Sequence, residues 1–168
     1  MKASGEKISM ITAYDVSFAR IFDAAGIDVI LVGDSAGNVM AGYETTVPVT
    51  LEQMIYHAQC VMRGVSHCLT VVDMPFGTYQ SNPDQAVASA IRIMKETGAH
   101  SVKLEGGAAI IPAVKRIVDA GIPVMGHIGF QPQTTTLQEG YKVQAKTRDA
   151  AVKLIEAAKA LEEAGAFS

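Results

Sequence analysis

Six side chains in this sequence have the types and spacing of a polar reaction centre. The apolar run Val29-Ile30-Leu31-Val32-Gly33 breaks into Asp34 and Ser35, and Leu69-Thr70-Val71-Val72 ends in Asp73. Ser101-Val102-Lys103-Leu104-Glu105 ends in a third carboxylate with a lysine two residues before it, and Pro123-Val124-Met125-Gly126 ends in His127. A charge at the rim of an apolar core needs a partner or a ligand. Several carboxylates gathered in one dry site repel one another and call for a cation. Hard oxygen donors favour Mg²⁺ or Mn²⁺ over zinc, since Mg²⁺ takes one or two carboxylates and completes its octahedron with water and substrate oxygens. On this reading Asp34 and Asp73 ligate directly, and Glu105 does so directly or through water. Residues two apart on a strand share a face, so Lys103 points where Glu105 points and aims a cation at an anionic substrate.

Each residue also has a plainer reading. An acid just before a helix serves as an N-cap or first-turn charge. Lys103 could simply pair with its neighbouring acid, and a lone histidine such as His127 is commonly a satisfied core residue. Three consecutive strands ending in acids favour a site, and the place of His127 between Gly126 and Gly129 at a strand end assigns it to the substrate. His57, His67 and His100 have no such placement. The glycines Gly33 and Gly106-Gly107 lack G-x-G-x-x-G or P-loop spacing, so nucleotide binding is disfavoured.

The elements that position these residues alternate regularly. Ile8 to Tyr14 reads as a strand, and Asp15 caps a helix with Val16, Phe18, Ala19, Phe22 and Ala25 on one face and Arg20 and Asp23 toward water. Residues 36–49 are too rich in glycine and threonine for a helix and read as an active-site loop. Thr50 with Gln53 predicts a capping box for a helix through Met62, closed by Gly64. Pro83 opens a helix to Glu96 after the loop Gly77–Asn82, Ile111, Val114, Ile117 and Val118 mark another, and Gly140-Tyr141-Lys142-Val143-Gln144 lies in a long loop. Thr147 caps a last helix with Val152, Ile155, Ala158 and Leu161 on one face.

A repeat of helix end, glycine and new strand recurs at Ala25-Gly26-Ile27, Thr97-Gly98-Ala99 and Ala120-Gly121-Ile122, and Ala164-Gly165-Ala166-Phe167-Ser168 begins a fourth copy. Strands alternating with helices imply a parallel sheet. Five β-α units and the start of a sixth fit the N-terminal part of a (β/α)8 TIM barrel, which needs ~250 residues, so residues 1–168 are read as a single domain with strands 6–8 expected beyond them. The competing architecture is a complete doubly wound sheet.

The 168 residues are 49% hydrophobic and 18% charged with a net charge of -3. These values describe a globular chain with one sizeable core and no basic footprint for nucleic acid. Cys60 and Cys68 form no C-x-x-C site and read as buried thiols. No apolar run approaches the ~20 residues needed to span a bilayer, and the polar start is not a signal peptide, so no membrane association and a cytoplasmic location are expected.

In these same stretches the chain closely resembles the ketopantoate hydroxymethyltransferase (3-methyl-2-oxobutanoate hydroxymethyltransferase) family. The resemblance rests on Thr12-Ala13-Tyr14-Asp15, Leu31-Val32-Gly33-Asp34-Ser35, Pro48-Val49-Thr50, Asp73-Met74-Pro75-Phe76, Val102-Lys103-Leu104-Glu105-Gly106-Gly107, Gly126-His127-Ile128-Gly129 and Gly140-Tyr141-Lys142-Val143-Gln144, in family order along nearly the whole chain. It implies a (β/α)8 barrel of the phosphoenolpyruvate/pyruvate type, a homo-oligomer that is commonly decameric. It also implies transfer of a hydroxymethyl group from 5,10-methylenetetrahydrofolate to 3-methyl-2-oxobutanoate. By that resemblance Asp34, Asp73 and Glu105 match the Mg²⁺ site, and Asp34, Ser35, Asp73 and Lys103 match the 2-oxo acid contacts. The family's general base is a glutamate on the sixth strand, expected beyond Ser168, so no residue here takes that role and the chain alone is expected to be inactive. Two alternatives remain: a Mg²⁺-dependent carbon-carbon lyase of the isocitrate-lyase-like superfamily, although neither Cys60 nor Cys68 lies in a suitable loop, and a non-catalytic truncated barrel.

Overall fold

A computed structural model describes residues 1–134 and 142–168. Five strands, β1 (Met10–Thr12), β2 (Val29–Val32), β3 (Leu69–Asp73), β4 (Ser101–Glu105) and β5 (Val124–His127), form one parallel sheet in the order β1-β2-β3-β4-β5. Between and after them run helices α1 (Val16–Ala24), α2 (Ala36–Val39), α3 (Leu51–Met62), α4 (Pro83–Thr97), α5 (Ile111–Asp119) and α6 (Arg148–Glu163). A doubly wound sheet reverses its strand order at a switch point. Here every strand pairs with the next one in sequence, so the winding is that of a (β/α) barrel and the open-sheet alternative fails.

Local chemistry sets the boundaries. Asp15 accepts from the N–H groups of Ser17 and Phe18 at the start of α1. Thr50 and Gln53 make the reciprocal capping box of α3, and Thr147 accepts from Ala150 N–H at α6. Pro83 occupies the first turn of α4, behind Asn82 as its cap. The repeated glycines Gly26, Gly98, Gly121 and Gly165 all adopt positive φ between 73° and 96°, the left-handed conformation that turns each helix end back toward the sheet. Ile30, Val32, Val72, Val102, Leu104 and Val124 are fully or almost fully buried against Met54, Ala58, Ala90, Ile93, Val114 and Ile117 of the helices. At the far edge, Phe167 N–H donates to Val124 O and Gly126 N–H donates to Ser168 O, so the last residues run alongside β5. Among the described residues no helix is long and apolar enough to cross a membrane.

Several expectations are corrected. Asp23 does not face water: it is 9% exposed and accepts from Ser66, His67 and Cys68 N–H and from the His67 ring, clamping the loop before β3 to α1. Phe18 is 56% exposed, because the buried line of α1 runs through Ala19 and Asp23 instead. Residues 36–49 are not wholly loop, since α2 takes four of them. Gly64 follows α3 for a packing reason: a Cβ there would stand 2.7 Å from Val16 O. Of the apolar line on α6 only Leu161 is buried, while Val152 and Ile155 are exposed. Cys68 is buried and donates to Ile27 O, whereas Cys60 is only partly buried. Gly140 and Tyr141 lie outside the described residues.

Candidate active site

Parallel strands of one sheet end on one side, and in-register pairing places their last residues next to one another. Asp73 pairs with Lys103 across β3 and β4, and Glu105 pairs with His127 across β4 and β5. The side chains follow. Lys103 Nζ lies 2.6 Å from Asp73 Oδ1, and His127 Nδ1 lies 3.0 Å from Glu105 Oε1 and 3.5 Å from Lys103 Nζ. Just past β2, the Asp34 backbone N–H donates to Asp73 Oδ2 at 3.1 Å. Asp34, Asp73, Lys103 and Glu105 are all buried, and His127 is partly exposed.

Ser35, next to Asp34, joins the cluster through a 2.8 Å hydrogen bond between its hydroxyl and that of Tyr14. His57 holds the Tyr14 carbonyl with Nδ1 at 3.0 Å and packs edge-on to its ring. It therefore stands behind Ser35, a placement the sequence did not reveal. The other histidines belong to the opposite end of the sheet, where His67 meets Asp23 and His100 Nδ1 accepts from Thr70 N–H.

Two residues that sequence reasoning passed over complete the arrangement. Gln133 donates from Nε2 to Asp34 Oδ2 and Met74 O, each at 2.9 Å, while its backbone N–H donates to Glu105 Oε2 at 3.1 Å. Tyr79 OH donates to Gln133 Oε1 at 2.6 Å and accepts from Glu105 N–H at 3.0 Å. Neutral side chains in loops carry no charge or periodicity to flag them. The available signal was their position in loops that follow strand ends, where a parallel sheet collects its site.

Three buried carboxylates share one ammonium. Burial and then the neighbouring Asp73 carboxylate push the Asp34 carboxyl up to about 6. Burial acts to lower Lys103, but the carboxylates of Asp73, Glu105 and Asp34 together outweigh it and raise the ammonium above its ordinary value. The excess negative charge suits a cation. Yet among the described residues no three His, Cys, Asp or Glu side chains group closely enough to hold a metal ion by themselves. Asp73 is taken up by Lys103, and Glu105 has one oxygen on His127 and the other on Gln133 N–H.

A family model described as ketopantoate hydroxymethyltransferase matches residues 1–168. The chain belongs to the ketopantoate hydroxymethyltransferase family. Among the family's curated members, the 3-methyl-2-oxobutanoate hydroxymethyltransferase of Flavobacterium johnsoniae is 62% identical over 167 residues, covering 99% of this chain and 61% of the relative. That of Salinibacter ruber is 59% identical, covering 100% of this chain and 63% of the relative. The chain thus spans about three fifths of the length of these hydroxymethyltransferases. Among solved structures, phosphoenolpyruvate phosphomutase from Streptomyces platensis subsp. rosaceus superposes with a TM-score of 0.69 at 17% identity, over 96% of this chain and 57% of that one. Phosphonopyruvate hydrolase in complex with oxalate and Mg++ gives 0.70 at 14%, over 98% and 57%. 2,3-Dimethylmalate lyase, of the PEP mutase/isocitrate lyase superfamily, gives 0.65 at 16%, over 98% and 58%. These likenesses show a shared fold and agree with the consecutive parallel winding.

Proposed function

We propose that the protein bearing this chain transfers a hydroxymethyl group from 5,10-methylenetetrahydrofolate to 3-methyl-2-oxobutanoate, giving 2-dehydropantoate for pantothenate synthesis. The observation that carries this reading is the 62% identity over 167 residues with a curated enzyme of that name. In balance, the 2-oxo acid loses its C3 proton, C3 bonds to the one-carbon unit, the carbon-nitrogen bonds to folate break, and water supplies the hydroxyl oxygen and the protons that folate regains.

A divalent cation fits the donor set and the charge of the site, because three buried carboxylates face one ammonium and Mg²⁺ needs only one or two of them directly. We assign Asp34 and Asp73 to it, with Glu105 binding directly or through water; the present partners of Asp73 and Glu105 would yield an oxygen to the ion. Once bound, such an ion supplies Lewis acidity that favours loss of the proton beside the keto group. Phosphonopyruvate hydrolase, of like fold, binds oxalate together with Mg++, and oxalate carries the same adjacent oxygens as a 2-oxo acid.

The chain's own residues do the rest. Lys103 offsets the negative charge that develops on the substrate. Ser35, oriented by Tyr14, donates to the substrate carboxylate, and His127, steadied by Glu105, closes the other side. No described residue is assigned as proton acceptor.

The test is folate-dependent formation of 2-dehydropantoate by the purified gene product with Mg²⁺, followed by mass spectrometry, and its loss on chelation with EDTA. Cleavage of a carbon-carbon bond without folate would replace this reading with a lyase. Mg²⁺-dependent binding of the 2-oxo acid without turnover would replace it with a non-catalytic barrel.

A further inference from the structure

Gln133 is 3% exposed, lies in the loop after β5 and hydrogen-bonds to Asp34, Met74, Tyr79, Gln80 and Glu105. A glutamine amide offers two donors and an acceptor with two lone pairs. All are used: the donors go to Asp34 Oδ2 and Met74 O, and Oε1 accepts from Tyr79 OH at 2.6 Å and Gln80 Nε2 at 3.2 Å. This fixes which end of the amide faces Asp34. Tyr79 reinforces the choice, because its hydroxyl accepts from Glu105 N–H and lies nearer to Gln133 Oε1, at 2.6 Å, than to its other acceptor, the Glu105 carbonyl, at 3.2 Å. The backbone N–H of the same residue holds Glu105 Oε2. One residue therefore grips carboxylates from the ends of two non-adjacent strands and the carbonyl just past a third.

We propose that Gln133 is a positioning residue of this site, which fixes Asp34 through its side-chain amide and Glu105 through its backbone N–H, so that seating of the loop 128–134 sets the spacing of the two carboxylates. The proposal rests on the site reading above but concerns a residue to which that reading gives no part. The competing role is a space-filling plug, and the two roles part at Gln133→Met, which keeps the bulk and deletes the donors: a plug tolerates it and a donor does not. Gln133→Glu is harsher under either role, because it buries a charge and turns an oxygen toward the Asp34 carboxylate and the Met74 carbonyl, where the amide now donates. Outer contacts that orient ligands typically cost 10–100-fold in metal affinity or activity when removed.

The experiment measures Mn²⁺ affinity by electron paramagnetic resonance, hydroxymethyl transfer and thermal melting for the full protein and for Gln133→Met, Gln133→Glu and Tyr79→Phe. The expected result is a drop of about 10–100-fold in Mn²⁺ affinity for Gln133→Met, a larger drop for Gln133→Glu, and a smaller one for Tyr79→Phe, which leaves Gln133 in place. Wild-type Mn²⁺ affinity in a folded Gln133→Met overturns the proposal, as does wild-type affinity in Gln133→Glu. If a Gln133 variant does not fold, Tyr79→Phe decides, with unchanged affinity counting against the proposal. Absence of transfer by the wild type refutes the proposed reaction and leaves the affinity series to judge Gln133. Absence of Mn²⁺ binding by the wild type refutes the positioning role.

Discussion

Replacing Asp34 by asparagine should make the metal-free protein more stable, and the gain should depend on pH. The Asp34 carboxyl is pushed from 3.8 up to about 6 by burial and by Asp73. The folded state therefore binds this proton more tightly than the unfolded state does. Stability falls as pH rises through the window from 3.8 to about 6, and the whole penalty is present above it. At 1.36 kcal/mol per unit, a shift of this size costs roughly 3 kcal/mol at pH 8 and about 1 kcal/mol at pH 4.5, with nothing left below both values. Asparagine carries no charge to desolvate and can still accept from Gln133, so Asp34→Asn recovers most of that penalty. Urea unfolding in EDTA at pH 4.5 and 8, with the denaturant slope held common, reads the difference as a midpoint shift. The midpoint should rise clearly at pH 8 and much less at pH 4.5, while hydroxymethyl transfer collapses, as expected where a site holds destabilising charge for function. A gain that is equal at both pH values, or a loss at pH 8, would refute the argument that Asp34 is held in the folded protein against its own desolvation.

Lys103→Met leaves Asp73 buried without its partner at 2.6 Å and should cost about 3–5 kcal/mol in melting experiments at neutral pH, together with 2-oxo acid binding by calorimetry. Asp23 is held well below the usual carboxylate range by the Cys68 N–H and the His67 contacts, so its contribution is present above 3.8 and is lost as pH falls through the lowered value. Asp23→Ala should thus lower the urea midpoint at pH 7, and the difference should narrow in strong acid. Gly64→Ala would bring a Cβ to 2.7 Å from Val16 O, pushing α1 away from the end of α3 at a cost of about 1–3 kcal/mol, measured as a lowered melting temperature with the site residues untouched.

What was legible in the sequence was what short-range rules govern. Asp15, Thr50 with Gln53, Pro83 and the recurring post-helix glycines each act within a few residues of themselves, and each performs as the pattern implies. The regular alternation implied a parallel sheet, and with it the gathering of Asp34, Asp73, Lys103, Glu105 and His127 at one end, while the strand order itself decides for consecutive winding. What escaped notice depends on partners far away in sequence. Asp23 shares the helical phase of a solvent-facing residue but finds three backbone N–H groups more than 40 residues on. Gln133 reaches Asp34 across 99 residues. Phe18 kept the expected helix but not the expected face, because the buried line of α1 runs through Ala19 and Asp23, which is bonded to the loop before β3.

The pairings Asp73 with Lys103 and Glu105 with His127 tie the geometry of the candidate site to strand alignment itself. Because strand side chains alternate between faces, sliding β4 by a single residue would turn Val102 and Leu104 toward the acids and drive an ammonium and a carboxylate into the apolar layer beneath the helices. No intermediate alignment keeps a partly working site. The force that seals the core also gauges the distance between charges, so a misaligned molecule is penalised as a fold before its charges can be misplaced.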